Sequence, residues 1–301
     1  MLSDLVERHI SLHRATGYLF RQQALQLRQF ARYAATKGED VVRATTAVEW
    51  ASQAAAESTR QVRLQTVSRF ARLMRAEDAR HEVPPERAFG RRRRRTPHIF
   101  TEKETQLVLR GAAALGPKGS LRPRTYVTLL GLIAATGLRI SEALRLKLGD
   151  VTATGLVIRE TKFHKSRLVP LHGSTRKVLD EYLGLRQKVA DADDAVFISK
   201  KRTALSRVTV NLTFNVILGS VGLDSGKGHR PRIHDFRHTF AVRSLEQCKG
   251  TREEIARHML ALGTYLGHVH LESTYWYLQA TPRLLLDIAA QTEVHSSGGG
   301  R

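Results

Sequence analysis

The sequence predicts a mainly α fold (α+β) in two domains: a helical N-terminal domain and a larger, mostly helical domain carrying a small antiparallel β-sheet. Three observations predict it. Apolar residues recur at helical spacing through most of the chain. Strand-like runs are confined to one stretch, Leu156 to Leu171. A proline pair, Pro84-Pro85, followed by five arginines divides the chain in two.

Taken in order, Arg14 to Ala35 places Leu19, Ala24, Leu27, Phe30 and Ala31 on one helical face, with Gly38 as the stop. Val62 to Met74 repeats the pattern with Leu64, Val67, Phe70 and Leu73. Arg60, Arg63, Arg69 and Arg72 occupy much of the remaining surface there, read as a phosphate-tracking face rather than merely a solvated one. The expected boundaries are 1–88 for this domain and 89–98 for a basic linker holding Arg91, Arg92, Arg93, Arg94 and Arg95, which would lie along a nucleic-acid backbone. The second domain spans 99–285, and a tail covers 286–301.

In the second domain, Thr101-Glu102-Lys103-Glu104 has the form of a capping box on a helix to about Ala114. Thr125 to Ala135 is strongly apolar, which predicts a buried helix closed near Gly137. Ser141 and Glu142 open a helix ending near Leu148. Leu156 to Glu160 and Arg167 to Leu171 read as two strands, and the remainder to about Asp287 as mainly helical.

Composition narrows the function. Lys and Arg total 49 against 28 Asp and Glu, a net charge of +21 that favours a polyanionic partner, with nucleic acid the commonest. No apolar run suits a bilayer and Met1-Leu2-Ser3-Asp4 is not a signal peptide, so no membrane partner and a cytoplasmic, nucleoid-associated location are expected. The single cysteine, Cys248, fits a reducing compartment and reads as a packed small residue.

Three distant segments hold residues suited to a single chemistry. They are Thr136-Gly137-Leu138-Arg139-Ile140-Ser141-Glu142, His234-Asp235-Phe236-Arg237-His238, and Leu266-Gly267-His268 followed by Tyr277. Phosphodiester cleavage without metal must stabilise a second negative charge in the transition state. Guanidinium groups do this bidentately and stay charged at any working pH. Arg139 and Arg237 could form that clamp, and His234, three residues before Arg237, would share its helical face. A tyrosine nucleophile conserves the bond energy as a phosphotyrosyl ester, so rejoining needs no ATP. Each piece alone is weak; their order and spacing together carry the signal.

The stretches ATGLRISEALRLKLGDV (Ala135 to Val151), IHDFRHTFA (Ile233 to Ala241) and LGHVHLESTYWY (Leu266 to Tyr277) resemble the boxes of the tyrosine recombinase/integrase family. The resemblance covers about 99–285, and the preceding basic helices are similar in size and character to that family's core-binding domain. It implies that Arg139 and Arg237 clamp the phosphate, with Glu142 supporting the first. It further implies proton transfer by His234, a hydrogen bond from His268 to a non-bridging oxygen, and attack by Tyr277. The segment Thr161 to Pro170 resembles the family's β-hairpin, which implies Lys162 as the acid protonating the leaving 5′ oxygen. Lys165 is the reserve candidate and otherwise a DNA contact. No cofactor or metal is implied. The implied partners are double-stranded DNA with specific sites and a homo-tetramer spanning two of them, with room for accessory recombinases. Gln279 stands where many members carry histidine, a departure that bears on subfamily.

Other readings fare worse. Thirteen histidines invite a zinc hydrolase, but no HExxH or Cys-His cluster is present. A type IB topoisomerase shares related chemistry, yet the short two-domain layout favours recombination. A DNA-binding repressor with a dead site would not need the full residue set.

Overall fold

The computed structural model describes residues 1–89, 95–159, 166–189, 193–224, 230–248 and 251–267. It divides into two compact units, Met1–Arg95 and Thr96–Arg301.

The first unit is built from α1 (Leu2–Ala15), α2 (Arg21–Ala35), α3 (Ala44–Ser52) and α4 (Glu57–Glu77). Its core gathers Leu27, Phe30, Trp50, Leu64, Val67 and Phe70, all at most 3% exposed. Removing each such side chain from water contributes about 1.5–3 kcal/mol. The expected single helix from Arg14 to Ala35 is broken between α1 and α2. The Thr16 hydroxyl donates to the carbonyl of His13 at 2.9 Å, and Gly17 follows in the left-handed region at φ 83°. A side chain that satisfies the last carbonyls, with a glycine after it, ends a helix regardless of the apolar rhythm beyond. Leu19, expected in the core, is 72% exposed, and so is Leu73 at 52%, its place being taken by buried Met74.

The second unit holds α5 (Glu102–Ala113), α6 (Arg122–Thr136), α7 (Ile140–Ala143), a 3₁₀ turn (Leu148–Asp150), β1 (Val151–Thr152), β2 (Gly155–Ile158), β3 (Arg167–Val169), α8 (Gly173–Gln187), α9 (Arg207–Ser220), α10 (Ile233–Glu246) and α11 (Arg252–Leu266). The sheet is antiparallel in the order β1-β2-β3, with Leu156 opposite Val169 and Ile158 opposite Arg167. β1 had no counterpart in the sequence reading. The helix expected from Ser141 to Leu148 is only the single turn of α7. The physical reason lies in Leu144-Arg145-Leu146-Lys147-Leu148, whose apolar residues alternate. Alternation suits extended chain better than helix, and Lys147 bridges to Ala195 in antiparallel fashion.

α6 is the central helix, packed against α5, α8 and α10, with Leu129, Leu130 and Ile133 fully buried. The segment before α5 is tied to α10 at three points. Phe100 stacks on Phe236 with ring centroids 4.2 Å apart, its N–H donates to the Thr239 hydroxyl at 2.9 Å, and its carbonyl accepts from Arg243 at 2.9 Å. α10 in turn packs against α6, and its Arg237 meets the Gly137 carbonyl at the end of α6, where the candidate site forms. Among the described residues, no helix is long and apolar enough to cross a membrane.

Candidate active site

α6 ends at Gly137, whose φ of 63° is left-handed. A Cβ there would also fall 2.7 Å from Phe240 Cδ1, so both conformation and space require glycine. The reversal delivers Arg139 in extended backbone at the start of α7. Three residues on, Glu142 turns back towards it. Glu142 Oε2 accepts the Arg139 backbone N–H at 3.0 Å, and Oε1 accepts Arg139 Nη1 at 2.8 Å. Arg167, at the head of β3, donates to the same carboxylate from Nη1 at 3.2 Å and from Nη2 at 2.8 Å.

Burial alone would raise the Glu142 pKa. The hydrogen bonds from Arg167 and from the Arg139 backbone outweigh it and hold the carboxyl at about 2.

α10 supplies the second guanidinium. Ile233 and Phe236 face the core, Asp235 accepts the Arg232 backbone N–H at 2.8 Å to secure the first turn, and Arg237 is thereby directed inwards, 1% exposed. Its Nη1 donates to the Gly137 carbonyl at 2.7 Å and its Nη2 to the Leu266 carbonyl at 2.6 Å. Arg139 reaches the same place: Nη1 lies 3.4 Å from the Leu266 carbonyl and Nη2 donates to the Gly267 carbonyl at 3.0 Å. Thus two guanidiniums from distant segments converge on the last carbonyls of α11, where a helix end carries partial negative charge.

His234 sits one helical turn before His238, the two rings meeting edge to face at 4.7 Å. Desolvation of the ring, followed by the positive charge of Arg237, lowers its pKa to about 4. His234 as a residue is exposed, so solvent offsets part of the desolvation, while the charge of Arg237 acts beside it. Both favour neutral imidazole at physiological pH, the form that can accept a proton. A further tyrosine, Tyr265, stacks on Phe240 at 5.6 Å. Burial raises its pKa against the pull of Arg167 and Arg237, so it is held as a phenol.

The structure therefore brings together Arg139, Glu142, His234 and Arg237 as a group. Lys162, Lys165, His268, Tyr277 and Arg91, Arg92, Arg93 and Arg94 lie outside the described residues. Arg95 ends the first unit, half-buried. Arg60 and Arg63 belong to that unit and are engaged by their own chain. Arg60 Nε donates to the Ala54 carbonyl at 2.6 Å, and Arg63 lies over the Trp50 ring at 5.0 Å. Arg72 pairs with Glu86 at 2.6 Å. No role for Arg167 follows from the sequence, because its partner Glu142 is 25 residues away on another element. Only its place in the hairpin segment hinted at it.

The family model described as the phage integrase family matches residues 100–283. A protein of Sinorhizobium fredii named as an integrase/recombinase, y4rB, is 35% identical over 300 residues, covering 96% of both chains. Among solved structures, the Tn1549 transposon integrase in complex with transposon right-end DNA superposes with a TM-score of 0.67 at 15% identity, covering 97% of this chain and 98% of that one. The lambda integrase tetramer bound to a Holliday junction gives a TM-score of 0.62 at 17% identity, with 89% and 77% covered.

Proposed function

This chain belongs to the phage integrase family, and from that premise we propose how it acts as a site-specific DNA recombinase that cleaves and rejoins strands through a 3′-phosphotyrosyl intermediate. The observation that carries the reading is the convergence of Arg139 and Arg237 on the Leu266 carbonyl. Two fixed cations within reach of one point match a phosphate that gains charge as it is attacked. Arg139 has 34% of its side chain exposed.

In this mechanism the Tyr277 hydroxyl attacks the scissile phosphorus and passes its proton towards neutral His234. Arg139 and Arg237 hold the non-bridging oxygens with His268, and Lys162 protonates the departing 5′ oxygen, whose alkoxide is far more basic than an amine. The ester stores the bond energy, and a 5′ hydroxyl of a second strand reverses the reaction. Assembly as a homo-tetramer on two DNA sites, with exchange through a Holliday junction, is the geometry such an exchange needs, and it is the state in which the lambda integrase tetramer was solved. Service to a mobile element fits the likeness to a transposon integrase, and a cytoplasmic, nucleoid-associated location follows from the substrate. Accessory recombinases are compatible with the reaction and are not required by it.

The test uses a suicide DNA substrate carrying the native site, in EDTA and without ATP. The parent protein forms a covalent adduct. Tyr277→Phe binds the site and forms none, whereas Tyr275→Phe retains the adduct. Arg139→Ala and Arg237→Ala lose about 100-fold or more in cleavage while keeping most DNA affinity. A nucleotide found on Tyr275, or a strict need for divalent metal, would overturn the assignment.

A further inference from the structure

Arg167 is the cation at this site to which the catalytic boxes give no part. It opens β3 opposite Ile158, and its side chain is 15% exposed against 34% for Arg139. It is thus the more enclosed of the two guanidiniums on Glu142, and it is the one that grips both carboxylate oxygens, at 3.2 and 2.8 Å. Arg139 uses one Nη and its backbone N–H. With these four donors the carboxylate is fully engaged.

The charge count explains why two arginines are better than one. A one-to-one pair of Arg139 with buried Glu142 would be close to neutral and a poor partner for phosphate. Sharing the carboxylate leaves one net positive charge on the three side chains. A paired fork also fixes direction, since a bidentate guanidinium–carboxylate contact is planar and resists rotation. The same two guanidiniums press on a common peptide. A Cβ placed at Gly267, where φ is +67°, would fall 3.0 Å from Arg167 Nη1 and 3.6 Å from Arg139 Nη1.

We propose that Arg167 is a positioning residue for DNA cleavage: it anchors Glu142 from the sheet, so that Glu142 aims Arg139 at the scissile phosphate without cancelling its charge. The proposal rests on the reading of Arg139 as part of the phosphate clamp. Arg167 itself touches no reacting atom in this scheme.

The experiment measures single-turnover cleavage of the suicide substrate and affinity for the uncleaved site, with Arg139→Ala as the control on the clamp. Arg167→Ala lowers the cleavage rate at saturating DNA by about 10- to 100-fold, by analogy with the loss of a partner that orients a metal ligand, and leaves site affinity nearly unchanged. Arg167→Lys recovers part of the rate, because it restores the charge but not the fork. The double variant Arg167→Ala/Glu142→Gln is no slower than Glu142→Gln alone, since both changes break one linkage. If Arg167→Ala does not fold, Arg167→Lys carries the test by itself, with a lowered rate at retained affinity as the supporting result. Parental cleavage by the folded Arg167 variant, beside a dead Arg139→Ala, overturns this proposal alone. Losses that multiply in the double variant also overturn it, because Arg167 would then act by a route other than Glu142. Parental cleavage by Arg139→Ala removes the clamp reading and this inference with it.

Discussion

Two titratable groups of the site respond to acid in the same sense but over different ranges of pH. Glu142 is held at about 2, below its usual 4.5. The stability it contributes is complete above the unfolded value and is lost as pH falls from 4.5 towards 2. His234 is also lowered, from 6.5 to about 4. Between those values the unfolded chain binds a proton that the folded chain refuses, so stability declines as pH drops through that window and then levels off. His234→Gln is therefore expected to flatten the decline of the urea midpoint between pH 6.5 and 4, while the loss below 4.5 persists. A midpoint profile identical to the parent's would show that the His234 ring titrates alike in folded and unfolded chains. Under the proposed mechanism, the same displacement keeps a neutral imidazole beside Arg237 to accept the phenolic proton.

At the scale of the element, the helix ends show what decides a local structure. Thr101 accepts the Glu104 N–H at 3.1 Å, and Glu104 accepts the Thr101 N–H at 2.7 Å, closing the box that starts α5. Thr101→Ala should cost about 1 kcal/mol in unfolding free energy while Thr101→Ser costs little, as read from denaturant titrations. Equal losses for both would mean that the methyl group and not the hydroxyl matters. This box was legible in the sequence because all its partners lie within four residues. So were α6 and its glycine stop, the two longer strands, and the order of Arg139, Glu142, His234 and Arg237. The break after Thr16 was hidden by an apolar rhythm that runs through it. The shortness of α7 was hidden by leucines that a helical reading absorbs and an alternating one explains better. Contacts such as Arg139 with the Gly267 carbonyl, 128 residues apart, were beyond reach. A sequence shows which cations are present, and only the packed chain shows which carbonyls they meet.

At the scale of the whole molecule, a net charge of +21 leaves open which cations meet DNA. Each phosphate contact releases condensed counterions and contributes a slope of roughly −0.9 to log K against log salt. Cations already committed within the chain contribute less, because a new contact must first break an old one. Arg60 spends its guanidinium on the Ala54 and Ala55 carbonyls, and Arg63 covers Trp50, itself 3% exposed. Replacing either should shift thermal stability more than the salt slope. Neutralising the run Arg91 to Arg95 tests the linker itself. A cluster of five adjacent like charges is repulsive on its own and is relieved by phosphates, so its loss should shallow the slope by about 0.9 for each contact removed. Fluorescence anisotropy on the native site at several salt concentrations measures both. A slope unchanged by the linker substitutions would reduce that run to a tether, and a slope shallowed by Arg60→Ala or Arg63→Ala would mean that their internal contacts are given up when DNA binds.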